Sequence, residues 1–142
     1  TRNADITPDR AAVRSLERTS VPTGRLSVPE LDLHTIGDNL VQVEMENFYA
    51  RQVAAAGDSG LLRQAFTNSF GHCNFSPAEL VAGVLALAHR VTTGRWGMVA
   101  DPASLNRVAA SLDLGPARFA ERYYPGALTG ATGLRHGRPG RH

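Results

Sequence analysis

Phe70-Gly71-His72-Cys73-Asn74-Phe75-Ser76-Pro77-Ala78-Glu79 sets a histidine in a glycine-hinged loop directly against the start of a helix. Ser76 is a preferred N-cap residue and Pro77 suits the first helical position. Glu79 follows the cap by three residues, the spacing of a capping box. Phe75 and Leu80 flank the cap as a hydrophobic staple, which fixes the angle at which the chain enters the helix. Four local signals agree on one helix start. The loop before it therefore holds His72 in a defined geometry, and a histidine held still can serve in catalysis.

Downstream, this helix is expected to run to about Thr93, with Leu80, Val84, Leu87, Ala88 and Val91 as its buried stripe and Gly94 closing it. Upstream, Leu61 to Thr67 reads as a strand. Before it, Val43 to Ala56 is helical, with Met45, Tyr49, Val53 and Ala56 at helical spacing and Gly57 where a C-terminal cap belongs. Earlier still, Glu30 to His34 reads as a strand that leaves through the turn formers Thr35-Ile36-Gly37-Asp38-Asn39. The order is strand, acidic turn, helix, strand, histidine loop, helix. That alternation predicts an α/β arrangement with a parallel sheet and helices on its faces. Ligands of such sheets sit at the carboxyl ends of the strands. Asp38 and His72 each follow a strand, and they lie 34 residues apart, about one βαβ unit of roughly 30 residues. The two side chains are thus expected at one edge, on neighbouring strands.

The flanks say less. Thr7-Pro8-Asp9 starts a short helix with a thin stripe of Ala12, Val13 and Leu16, and the chain from Thr19 to Gly24 breaks it. Asp101-Pro102 starts a fourth helix marked by Leu105, Val108, Ala109 and Leu112, ending near Gly115. An aromatic patch of Phe119, Tyr123 and Tyr124 follows, and disorder is expected from about Thr129. Four segments result: a connecting helix and turn over 1–26, a core over 27–100, a C-terminal helix and extension over 101–128, and a basic tail over 129–142.

Apolar content of 42% and charged content of 20% are ordinary for a globular protein. No apolar run approaches the roughly 18 residues that cross a bilayer, and a net charge of +2 argues for neither membrane nor nucleic acid. The Arg-rich tail lacks the ordered basic helix or interleaved aromatics of a nucleic-acid surface. The single Cys73 can form no internal disulfide and anchors no metal cluster, and no cofactor is implied. A carboxylate with an imidazole also serves papain-like and metal sites. The thiol case fails because Cys73 adjoins His72 and, in an extended loop, would point away from it. His34 is a structural residue at a strand end, His89 a surface residue of the long helix, and His136 and His142 tail residues.

Leu33-His34-Thr35-Ile36-Gly37-Asp38-Asn39-Leu40-Val41 and Gly71-His72-Cys73-Asn74-Phe75-Ser76-Pro77-Ala78-Glu79 together resemble the C-terminal portion of a bacterial α/β-hydrolase-fold serine hydrolase. Thr92-Thr93-Gly94-Arg95-Trp96 is similar to the same group, and the match covers about Val21 to Trp96. In that fold the acid follows the penultimate core strand and the histidine the last. The resemblance therefore implies that Asp38 is the acid and His72 the base of a Ser-His-Asp triad. Gln42 stands where relatives often carry proline. In tannase-like and feruloyl-esterase-like members, a cysteine beside the histidine bonds to one beside the nucleophile. The resemblance thus offers Cys73 a disulfide to a part absent here, the plain alternative being a buried free thiol.

The family's Gly-x-Ser-x-Gly elbow is missing from this sequence. Gly57-Asp58-Ser59-Gly60 matches part of the chymotrypsin-type signature, but Leu61 replaces the next glycine and the segment reads as a helix-to-strand turn. Two strands alone also make a marginal sheet. The expectation is a C-terminal fragment holding two-thirds of a triad in an incomplete sheet, and inactive by itself. Its partners are then the N-terminal portion carrying the serine and a small ester or amide substrate. The alternative is a non-catalytic helical accessory or interaction subunit, in which Asp38 and His72 have no mutual geometry. A Thr1 nucleophile has nothing nearby to position it.

Overall fold

The computed structural model describes residues 7–128. The expectations placed on Thr1, His136, His142 and the tail from Thr129 lie outside them. Six elements follow in order: α1 (Arg10–Ser20), β1 (Glu30–Gly37), α2 (Glu44–Ala56), β2 (Leu62–Phe70), α3 (Pro77–Thr93) and α4 (Pro102–Leu112). β1 and β2 pair in parallel, from Glu30 opposite Leu62 to Thr35 opposite Thr67, with α2 as the crossover. The chain is a small α/β arrangement around a two-stranded parallel sheet.

Local chemistry sets the boundaries. At α3 the Ser76 hydroxyl accepts the Glu79 amide at 3.1 Å while the Glu79 carboxylate accepts the Ser76 amide at 2.8 Å, a complete capping box. Gly57 ends α2 and Gly94 ends α3, both in the left-handed region. At α1 the Asp9 carboxylate accepts the Ala12 amide. Asp58 lies in the turn between α2 and β2 and accepts the Leu26 amide, so Gly57 to Gly60 is indeed a connection.

Both strands run three residues past the ends expected of them, His34 and Thr67, to Gly37 and Phe70. Pairing overrides the turn propensity of Thr35-Ile36-Gly37. The register slips between Thr35 and Gly37, and the Gly71 amide bonding the Gly37 carbonyl carries the ladder past the strand ends. The outer edge of β2 is covered by an extended segment: the Asn68 amide bonds the Arg118 carbonyl and the Ala120 amide bonds the Phe66 carbonyl. Among the described residues no strand pairs with the outer edge of β1.

The core contradicts the expected stripe of α3. Ala78, Ala82 and Ala86 face inward with Glu79 and Gly83, and join Ala65, Leu105, Ala109 and Phe119. Leu80 is 47% exposed, Val84 65% and Val91 64%; Ala88 is exposed and Leu87 half-buried. The reason is steric. The helix lies close to β1 and α4, and only small side chains fit between. A Cβ built on Gly83 would stand 2.8 Å from Leu33 Cδ1. The bulky residues are left on the outer face. On α2 only Val53 is buried; Met45 and Ala56 are exposed, while Glu46 and Tyr49 reach the polar row of β1.

Candidate active site

β1 delivers Asp38 and β2 delivers His72 to the same edge. His72 Nδ1 lies 2.8 Å from Asp38 Oδ2. The other carboxylate oxygen, Oδ1, accepts the Leu40 amide at 2.8 Å and the Val41 amide at 3.0 Å, as an aspartate does when it closes its own turn. The Asp38 side chain is only 4% exposed, whereas that of His72 is 45% exposed. These bonds, the Val41 amide first, then the Leu40 amide and His72, hold the Asp38 carboxyl down at about 2 despite the desolvation that opposes them. It is an ionised acceptor, so the His72 proton faces it on Nδ1 and leaves Nε2 as the basic nitrogen. Nε2 makes no hydrogen bond among the described residues.

The histidine loop is tied on several sides. The Thr35 hydroxyl donates to the Gly71 carbonyl at 2.7 Å. The Asn74 carbonyl accepts from the Ser69 hydroxyl and from the Arg118 guanidinium. Gly71 turns the chain at φ +97°, which costs a residue without Cβ nothing. Cys73 departs from expectation twice. It sits at φ +53°, so the loop is not extended there, and its free thiol is exposed rather than buried.

His34 does not stand at a strand end. It lies within β1, 9% exposed, with Nδ1 2.9 Å from Glu46 Oε1 of α2 and Nε2 3.2 Å from the Val41 carbonyl. Beside it, the Gln64 amide bridges Asp32 and Glu46, and the Tyr49 hydroxyl donates to Glu30. This polar cluster escaped the sequence reading, yet its signal is visible. Glu30, Asp32 and His34 alternate with Leu31 and Leu33, so one face of β1 is polar at strand spacing. Among the described residues no three His, Cys, Asp or Glu side chains converge as a metal site requires. A hollow of about 320 Å³ on the α2 side, lined by Val53, Leu62, Phe66 and Tyr123, is lined by neither Asp38 nor His72.

Burial, then hydrogen bonding to Glu30 and the charge of Glu46, push Asp32 up to about 8. Its unfolded value is about 3.9. Between the two only the folded chain keeps the proton, so this group removes stability as pH rises from about 4 to about 8. Asp32→Asn mimics the protonated acid. The variant is expected to match the wild type at pH 4 and to exceed it at pH 8, by on the order of 2 kcal/mol once solvent screening is allowed for. Urea unfolding at the two pH values checks this; an equal difference at both refutes it.

No family model matches the chain, and no solved structure matches it. It is similar to a curated protein, the o-phthalyl amidase of Xanthobacter agilis, at 36% identity over 97 residues. That alignment covers 68% of this chain and 21% of the amidase, so the chain spans about a fifth of the relative's length. The similarity points to hydrolase-related chemistry.

Proposed function

We propose that this chain is the C-terminal part of an α/β-hydrolase-fold serine hydrolase, in which Asp38 and His72 are the acid and base of the triad. The observation that carries the reading is the 2.8 Å contact between the two side chains, each leaving the carboxyl end of one of two adjacent parallel strands. The free Nε2 takes the proton of a serine hydroxyl as that oxygen attacks the substrate carbonyl, then returns it to the leaving group. Asp38 keeps the other ring proton on Nδ1 and stabilises the imidazolium. The relative's name favours amide over ester hydrolysis.

The serine and the remaining strands come from other polypeptide. Two features support this: among the described residues no strand lies beside the outer edge of β1, and α3 exposes a row of Leu80, Val84 and Val91. A fluorophosphonate probe tests the reading. In the full polypeptide carrying these residues it should label one serine, mapped by peptide mass outside residues 1–142. A label on Ser59 or another serine of these residues, or no label at all, overturns it.

A further inference from the structure

The Asp38 turn is held from beneath as well as by its own amides. Val41, whose N–H bonds Asp38 Oδ1, is itself 40% exposed and lies in an irregular bend. What fixes it is its carbonyl, which accepts from His34 Nε2. A carbonyl oxygen cannot donate, so that nitrogen must carry a proton. The opposite ring nitrogen faces Glu46 Oε1 at 2.9 Å, and the second Glu46 oxygen accepts from the Gln64 amide at 2.6 Å. Glu46 thus holds the ring on the side opposite Val41. His34 Nε2 also stands 3.9 Å from Asp38 Oδ2. The groups that face the ring are Glu46 of α2 and, from the turn, the Val41 carbonyl and the Asp38 carboxylate; Glu46 is held in turn by Gln64 of β2. A chain of contacts therefore runs from α2 through β1 to the acid: Glu46, His34, Val41, Asp38.

We propose that His34 is a positioning residue for the candidate acid: clamped by Glu46, it grips the Val41 carbonyl and so aims the amides that seat Asp38 against His72. The proposal rests on the triad reading for its effect on turnover, but its effect on Asp38 does not need that reading. A free carboxylate rotates about χ2 and offers either oxygen. Here Oδ1 is pinned by two amides, which leaves Oδ2 for the histidine. Loosening Val41 removes one of the pins.

The pair His34→Gln and His34→Asn separates the two ring nitrogens. A glutamine amide reaches the position of Nε2 and can still donate to Val41; an asparagine amide reaches only the position of Nδ1 and keeps Glu46 alone. In the full polypeptide, His34→Asn is expected to lower kcat by about 10- to 100-fold with KM within about twofold, while His34→Gln recovers most of the rate. Carbon-13 NMR titration of the Asp38 carboxyl reads the same effect without turnover. Its midpoint should rise in His34→Asn and stay near the wild-type value in His34→Gln. An unmoved midpoint in His34→Asn, or equal shifts in both variants, overturns the proposal. A shifted midpoint in a polypeptide that lacks hydrolase activity upholds the positioning role and refutes the triad instead.

Discussion

His72→Ala in the full polypeptide is expected to lower kcat by on the order of 10⁴-fold or more while leaving the fold nearly unchanged. The His72 side chain is 45% exposed and makes one hydrogen bond, to Asp38, so its removal opens no buried cavity. The loop around it is held through the backbone, by Thr35 on the Gly71 carbonyl and by Ser69 and Arg118 on the Asn74 carbonyl. The melting temperature should move by no more than about 2 °C. The rate has no such support. Under the proposed triad, removing the imidazole removes the group that takes the serine proton, and what survives is the oxyanion hole and substrate binding. Asp38→Asn is expected to act through the same unit, so the double variant should lose little more than either single one. Turnover in His72→Ala within tenfold of the wild type would remove it from the base's role.

What the sequence made legible was everything encoded locally. Ser76, Pro77 and Glu79 specify one helix start, and the structure has that start. The strand, helix, strand order between Glu30 and Phe70 was equally readable, because 34 residues between Asp38 and His72 leave room for one crossover and little else. What misled was amphipathicity taken as burial. Leu80, Val84 and Val91 repeat at helical spacing as a core stripe should, but the described residues bury the alanine face of α3 instead. An apolar stripe marks the side that some partner covers; it does not say that the partner lies in the same stretch of chain. The polar face of β1 was missed for a related reason. Glu30, Asp32 and His34 gain meaning only once α2 brings Glu46 and Tyr49 across to them, a contact made by the fold and not by neighbours in sequence.

The largest effect on stability is expected at a pair that no motif announces beyond its first member. Glu79 is fully buried, and it does two jobs with its two oxygens. Oε2 accepts the Ser76 amide that completes the capping box and also the Arg118 Nη2 at 2.8 Å. Oε1 accepts both the Arg118 backbone amide at 2.9 Å and the side-chain Nε at 3.0 Å. Burial pushes the Glu79 carboxyl up, but the Arg118 guanidinium and the Ser76 and Arg118 amides outweigh it and hold it below the usual carboxylate range. Stability from this group is therefore present above its unfolded value of about 4.3 and lost as pH falls through the lower folded one. Arg118→Met removes the guanidinium and leaves a buried charge with backbone amides alone, at an expected cost of about 3–5 kcal/mol at pH 7. The loss should also reach the site, since the same guanidinium holds the Asn74 carbonyl beside His72 and its segment covers the edge of β2. Adding Glu79→Gln to Arg118→Met neutralises the stranded carboxylate, so the double variant should regain about half of what the single one loses. Urea unfolding of the wild type, both single variants and the double variant measures this. A loss under about 1 kcal/mol for Arg118→Met, or a double variant weaker than Arg118→Met alone, would mean that the pair is dispensable and that α3 is held to the sheet by its alanine face.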